Sequence, residues 1–428
     1  MRRLPTAYTR VLCGLIAAGT LTVAAPAAAD VVTDWNALTI QFINAAGRPP
    51  GAAPSIDIAA VHVAIHDAVQ AYQHRFRTYG PSIPNAAGSP IAAVAAAAHD
   101  VLVSRFQIPS VNAALIAQVD TAYTTYLAGK GLAINNPGVA VGQQAAHNII
   151  VNRAGDGFFP SNPETFTGST EPGQWRPTPP AFAPMATPWL GEVTPFVLRD
   201  RDGVLNEAGP PSLNSGLYAK DFNEVKAWGR RTGSLRTPQQ TTMALFFSGN
   251  FLVIFNGVLR TVATARLADI GDSARLFALA SVSVADTEIN VWNNKRTYNF
   301  WRPSTAILNA ADDGNARTEP DAAWLPLIND PPYPDYTSGA NGVSGSTMRT
   351  LENFFGDDAW TYSVSTTATE NGQPIANRTY GSFSGLADDV VDARILLGIH
   401  FRTADVVSRR QAKQVADQVF AHAFQPVD

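Results

Sequence analysis

"NKRTYNFWRPSTAI", residues 294–307, sets two cations, Lys295 and Arg302, seven positions apart. On a continuous helix seven residues make about two turns, so both would leave from nearly one face. Tyr298, Phe300 and Trp301 stand beside them, and Pro303 then ends or kinks the helix. Two aligned cations among aromatic rings suit a multiply charged anion. Taken by itself, the segment reads rather as a solvated basic face.

This stretch ends a long helical run from about Phe251 to Trp301, broken near Gly271, and helix signals continue on both sides of it. Upstream, residues 55–76 keep Ile58, Val61, Ile65, Val69 and Tyr72 at steps of three and four. Three further Ala-rich segments reach about 154, and two more helices lie at 215–231 and 237–249. Downstream, 344–356 reads as a helix ending at Gly356, and two helices close the chain. Between Gly155 and Pro211 the texture changes to Pro and Gly, yet Trp175, Phe182, Trp189 and Phe196 lie within it. Linkers without structure are poor in aromatics, so this is an ordered loop strapped across a helical body. The Thr/Ser/Tyr-rich segment 361–383, with Asn371-Gly372 at its turn, predicts a β-hairpin. The expected fold is mainly α, with an amino-terminal helical half at about 30–154 and a second half at about 212–428 of one domain spanning 30–428.

The 428 residues are 46% hydrophobic and 15% charged, enough for a large core. Residues 1–29 have the order of a secretory signal: Arg2, Arg3 and Arg10, an apolar run from Val11 to Ala25, then Ala27-Ala28-Ala29 as a cleavage site. The run is too short for an anchor, and no later segment is long enough to span a membrane. Cleavage after Ala29 removes three arginines and no acid, moving the formal net charge from −4 to −7. Such a charge argues against a nucleic-acid partner. The only cysteine, Cys13, leaves with the leader. The exported protein then lacks disulfides and thiolates, and its chemistry must use oxygen and nitrogen groups.

Two other segments concentrate unusual polar groups. In "YPDYTSGANGVSGS" (333–346), Ser338 near the start of a helix could turn its hydroxyl and the Gly339 N–H toward an anion. In "DARILLGIHFRTAD" (392–405), Arg394 and His400 are six apart, about 120° around an ideal helix. They converge only if the arginine reaches round or the helix packs obliquely. His62 and His66, four apart and followed by Asp67, lack an evident third metal ligand and read as core residues.

Together the three segments resemble the signature of the vanadium-dependent haloperoxidase and type 2 phosphatidic acid phosphatase superfamily: Lys, six residues, Arg-Pro; then Pro-Ser-Gly-His; then Ser-Arg, five residues, His. Here they stand as Lys295 through Arg302-Pro303, Thr337-Ser338-Gly339-Ala340, and Ala393-Arg394 with His400. "AAVHVAIHDAV" (59–69), "RAGDG" (153–157), "PGQWRPTPPAFAP" (172–184) and "DFNEVKAWG" (221–229) are similar to segments of the secreted bacterial haloperoxidase-like branch. The resemblance implies a helical bundle with an oxyanion at one end, either vanadate or, in competition, phosphate. It implies that Lys295, Arg302, Ser338, Gly339 and Arg394 hold the oxyanion. His400 would be the apical vanadium ligand of a peroxidase or the nucleophile of a phosphatase. It also suggests hydrogen peroxide with halide or a small organic molecule as substrates, and a homodimer.

The chain departs from the pattern at Ala340, where the family has an acid/base histidine. Loss of such a group typically costs about 10²–10⁴ in rate. Three readings stay open: a haloperoxidase in which another group or water replaces the histidine; an acid phosphatase using His400; and a homologue that binds oxyanion or runs another reaction in the same cavity. Asn341 and Asp335 are the nearest replacements in sequence.

Overall fold

The fold is that of a computed structural model, which describes residues 30–48, 51–108, 111–199 and 208–427; the leader expected at 1–29 lies outside them. The first half holds α1 (Val31–Ala45), α2 (Ala53–Gln73), α3 (Pro90–Phe106), α4 (Ala113–Gly129) and α5 (Pro137–Asn152). α2 is buried from Ala53 to Ala71 without a break, so the apolar stripe at 55–76 understates it. A helix hidden on every side shows little amphipathic pattern. Small residues let its neighbours close in: a Cβ at Gly142 of α5 would strike the Ala93 carbonyl of α3.

The second half holds α6 (Gly216–Trp228), α7 (Pro238–Phe246), α8 (Phe251–Arg266), α9 (Ile270–Tyr298), α10 (Pro303–Leu308), α11 (Gly339–Phe355), α12 (Phe383–Leu396) and α13 (Arg402–His422). α9 runs through the core, packed against α2, α11 and α13. The break before α9 falls at 267–269 rather than at Gly271. There the Asp269 carboxylate caps the helix through the Gly271 and Asp272 N–H groups, which draws Gly271 into the first turn. α11 likewise starts five residues before the helix expected at 344, because Gly, Ala and Asn in its first turn hide its periodicity.

The hairpin expected at 361–383 is present as β1 (Ala359–Val364) paired antiparallel with β4 (Arg378–Ser382), with Tyr362 opposite Tyr380. Inside it β2 (Thr369–Glu370) pairs with β3 (Gln373–Pro374) around Asn371-Gly372, both at positive φ (51° and 77°). The described part of the Pro/Gly segment is a strap tied down at several points. Trp175 is fully buried, its backbone N–H donates to the Asn299 carbonyl (2.7 Å), and the Trp301 N–H donates to Gly173 (3.0 Å). Farther along, the N–H groups of Phe196, Val197 and Leu198 all donate to the buried Asp286 carboxylate of α9, at 2.6–3.0 Å. The strap thereby fixes the residues that carry Lys295 and Arg302. Among the described residues, no single helix is long and apolar enough to cross a membrane.

Candidate active site

Lys295 and Arg302 do come together, but not on one helical face. α9 ends at Tyr298, Asn299 takes a left-handed conformation (φ 45°), and Arg302 is the N-cap residue of α10 with Pro303 at its first position. Pro303 thus starts a helix instead of ending one. Lys295 Nζ donates to the carbonyls of Pro334 (2.7 Å) and Asp335 (3.1 Å), 4.9 Å from the centre of the Tyr333 ring. Arg302 Nε donates to the Tyr333 carbonyl (2.8 Å) and Nη1 to that of Ile399 (2.6 Å). Both side chains are fully buried, and Arg302 Nη2 has no partner. Burial, then Arg302, pushes the Lys295 ammonium well below its ordinary range, against the pull of Asp335, Glu288 and Asp405. An arriving anion would work with that pull and favour the charged lysine.

Ser338 is the N-cap residue of α11, as expected, but its hydroxyl does not cap the helix. It faces Asn341, whose Nδ2 lies 3.4 Å away, and Asp405. Its carbonyl accepts from Ser408 (2.6 Å) and its N–H donates to Ala404 (3.2 Å). The first N–H groups of α11 are left without a side-chain cap, a setting that favours an anion. Gly339 and Ala340 line a cavity of about 320 Å³ together with Trp292, Tyr333, Arg394 and His400.

Arg394 and His400 converge through a turn, not an oblique helix. α12 stops at Leu396, Gly398 turns the chain at φ 82°, and His400 precedes α13. Arg394 Nη1 donates to the Phe247 carbonyl (3.1 Å), and its buried Nε has no partner. His400 Nδ1 lies 2.7 Å from Asp335 Oδ1, and its Nε2 lies 3.2 Å from Arg302 Nη1. Burial, then Arg302, Lys295 and Arg394, pushes the imidazole well below its ordinary range, so the ring is neutral. Burial also raises Asp335, against the pull of Arg302 and Lys295. One proton serves the pair. With two cations beside the carboxylate, Nδ1 is its better place, and Nε2 keeps its lone pair.

Neither replacement suggested by the sequence faces the cavity. Asp335 is committed to His400, and Asn341 Nδ2 donates to Asp405 (2.8 Å). The lining carboxyl is instead Glu288 of α9, buried at 2% exposure. Sequence reading passed over it; its signal is an acid lodged in a buried helical run seven residues before Lys295. His62 and His66 are core residues: His62 Nε2 meets Asn36 Nδ2 at 2.8 Å, and His66 Nδ1 lies 3.2 Å from Asp67. Among the described residues, no group of three or more His, Cys, Asp or Glu forms a metal-ion site.

The donor set fits an oxyanion. Arg302 Nη2 and Arg394 Nε are buried charged donors with nothing to bond, a costly state that an anion's oxygens would relieve. Residues 275–428 match the family model described as the VCPO second helical-bundle domain. Vanadium chloroperoxidase of Curvularia inaequalis is 27% identical over 41% of this chain, and the match spans 33% of that relative's length. In fold the chain is similar to the first bacterial vanadium-dependent iodoperoxidase, with a TM-score of 0.75 and 22% identity over 92% of this chain and 97% of that one. It is also similar to a bacterial vanadium-dependent chloroperoxidase in its apo form, with a TM-score of 0.65 and 15% identity over 94% of each chain.

Proposed function

The chain is a member of the vanadium haloperoxidase superfamily, and from that premise we propose that it is an exported, vanadate-dependent oxidoreductase that oxidises halide with hydrogen peroxide. The observation that carries this reading is the pair of unpartnered guanidinium nitrogens, Arg302 Nη2 and Arg394 Nε, in the group of residues around His400. Lys295, Arg302, Arg394, Ser338 and the Gly339 N–H would hold the oxyanion's oxygens, and His400 Nε2 would meet its centre. When bound, vanadate supplies a Lewis-acidic centre that activates hydrogen peroxide toward halide. The residues' own work is electrostatic: buried cations and helix N–H groups, already oriented, stabilise negative charge without reorganising. Trp292 and Tyr333, their ring centres 5.1 Å apart, wall the cavity, which has room for halide, peroxide or a small organic molecule. Phosphate would compete for the same cations. Cleavage after Ala29 and a homodimer belong to the same reading.

With the leader removed, the protein is expected to brominate a phenolic dye with hydrogen peroxide at a rate that saturates with vanadate and falls as phosphate is added. No turnover at any pH with saturating vanadate would refute the proposal. The Asp335–His400 pair favours a second reading, a phosphatase, because an imidazole whose proton is held on Nδ1 has its lone pair on Nε2, which makes it a nucleophile as well. That reading expects hydrolysis of an activated aryl phosphate that is lost in His400→Ala, and activity unchanged by that substitution excludes it.

A further inference from the structure

Glu288 has no evident structural duty. Its carboxyl lies inside the protein at 2% exposure, and Oε1 makes no hydrogen bond. The other buried acids nearby are engaged, Asp335 with His400 and Asp405 with Asn341. Glu288 instead lines the cavity that Ala340, Arg394 and His400 also line. It borders the first turn of α11: a Cβ at Gly339 would stand 3.2 Å from Oε2, and one at Gly342 2.5 Å from Oε1. Those glycines leave the carboxyl its place on either side of Ala340. A buried, unsatisfied carboxyl in a polar cavity is a group that function retains against its cost to stability.

We propose that Glu288 is the proton carrier of this pocket, taking the place of the histidine that Ala340 lacks; this rests on the peroxidase reading above. Oxidation of halide by hydrogen peroxide consumes one proton: halide, hydrogen peroxide and a proton give hypohalous acid and water. The O–O bond breaks, the halide loses two electrons and bonds to one oxygen, and the other oxygen leaves with the electron pair. Glu288 gives its carboxyl proton to that leaving oxygen, which departs as water, and recovers a proton from solvent through the cavity. The groups around it are Lys295 on its own helix, Tyr333 on the following loop, Arg394 of α12, His400 of the turn, and Arg48 from the α1–α2 connection. Burial lifts the carboxyl well above its ordinary range, and Lys295 opposes that shift.

The test compares the wild type with Glu288→Gln, which keeps the shape and cannot carry the proton. At saturating vanadate, kcat for bromide oxidation should fall about 100-fold, and the decline of wild-type activity at rising pH should vanish. Vanadate affinity should stay within about threefold. A second readout needs no turnover: in the vanadate-free protein, the infrared difference between wild type and variant should show one C=O band of a protonated carboxyl that titrates with pH, separate from that of Asp405, whose carboxyl is raised to about 7 by burial. Gly342→Ala, whose Cβ crowds Oε1, should lower kcat without removing the acid. Adding Ala340→His to Glu288→Gln should restore turnover, which a purely structural role would not allow. Unchanged kcat, an unchanged infrared spectrum, or vanadate affinity lost in step with kcat each overturns the assignment. An inactive wild type ends both readings, whereas an active wild type with an unaffected Glu288→Gln ends only this one.

Discussion

Replacing Asp335 separates the two ways this pocket would hold an anion. In Asp335→Leu, similar in size, His400 Nδ1 loses its 2.7 Å acceptor, and only the Arg302 Nη1 donor, 3.2 Å from Nε2, then opposes a proton there. A hydrogen bond to a charged group contributes about 1.5–3 kcal/mol net. At about 1.4 kcal/mol per factor of ten, that is roughly 10- to 100-fold in any affinity that needs the Nε2 lone pair. The same substitution removes a negative charge whose Oδ1 lies 3.9 Å from Arg302 Nη1, leaving the cations freer for an incoming anion. The two effects have opposite signs for different ligands. Vanadate, which would engage Nε2, should bind about 10- to 100-fold more weakly. Phosphate, held by the cations, should bind as well as before or better. Calorimetric titration of the vanadate-free protein with each anion at one pH reads both. Asp335→Asn, whose amide oxygen can still accept from Nδ1, should lose less vanadate affinity. Vanadate and phosphate affinities that shift together, by the same factor and in the same direction, would refute the role given to the Asp335–His400 pair.

With Glu288 already carrying the proton, Ala340→His in the wild type should change bromide oxidation by less than about tenfold and leave vanadate affinity nearly unchanged, and a gain of about 100-fold would show that the wild type lacks a working proton carrier. Burial, with Arg260 adding repulsion, holds the His62 imidazole down at about 3, so the unfolded chain takes up its proton first. Its contribution is therefore whole above pH 6.5 and is lost as pH falls from 6.5 toward 3, by as much as about 5 kcal/mol. His62→Gln, which cannot charge and still offers Asn36 an acceptor, should shift acid unfolding followed by circular dichroism to lower pH; an unmoved midpoint would speak against it. Trp175→Ala should cost about 3–5 kcal/mol in urea unfolding and weaken phosphate binding, since the strap it anchors holds Asn299 and Trp301. Full stability in that variant would show that the strap is ornamental to the fold.

Much of this protein is legible in local sequence. Apolar spacing and Ala content mark the helical class, Asn371-Gly372 marks the hairpin turn, and the aromatics within the Pro/Gly segment mark it as ordered. The three polar segments and the alanine at 340 are equally visible, because residue identity and short spacings are properties of the chain itself. What the spacings could not give is direction. Lys295 and Arg302 meet across a left-handed residue and a new helix start, and Arg394 and His400 meet across the turn at Gly398, so in neither case does helical arithmetic apply. The Asp335–His400 contact and the approach of Glu288 to Gly339 and Gly342 join residues about fifty to sixty-five positions apart. Only packing decides such meetings: α9, α11 and the turn before α13 must be brought close first, and missing side chains at two glycines then leave the space where a buried acid can stand.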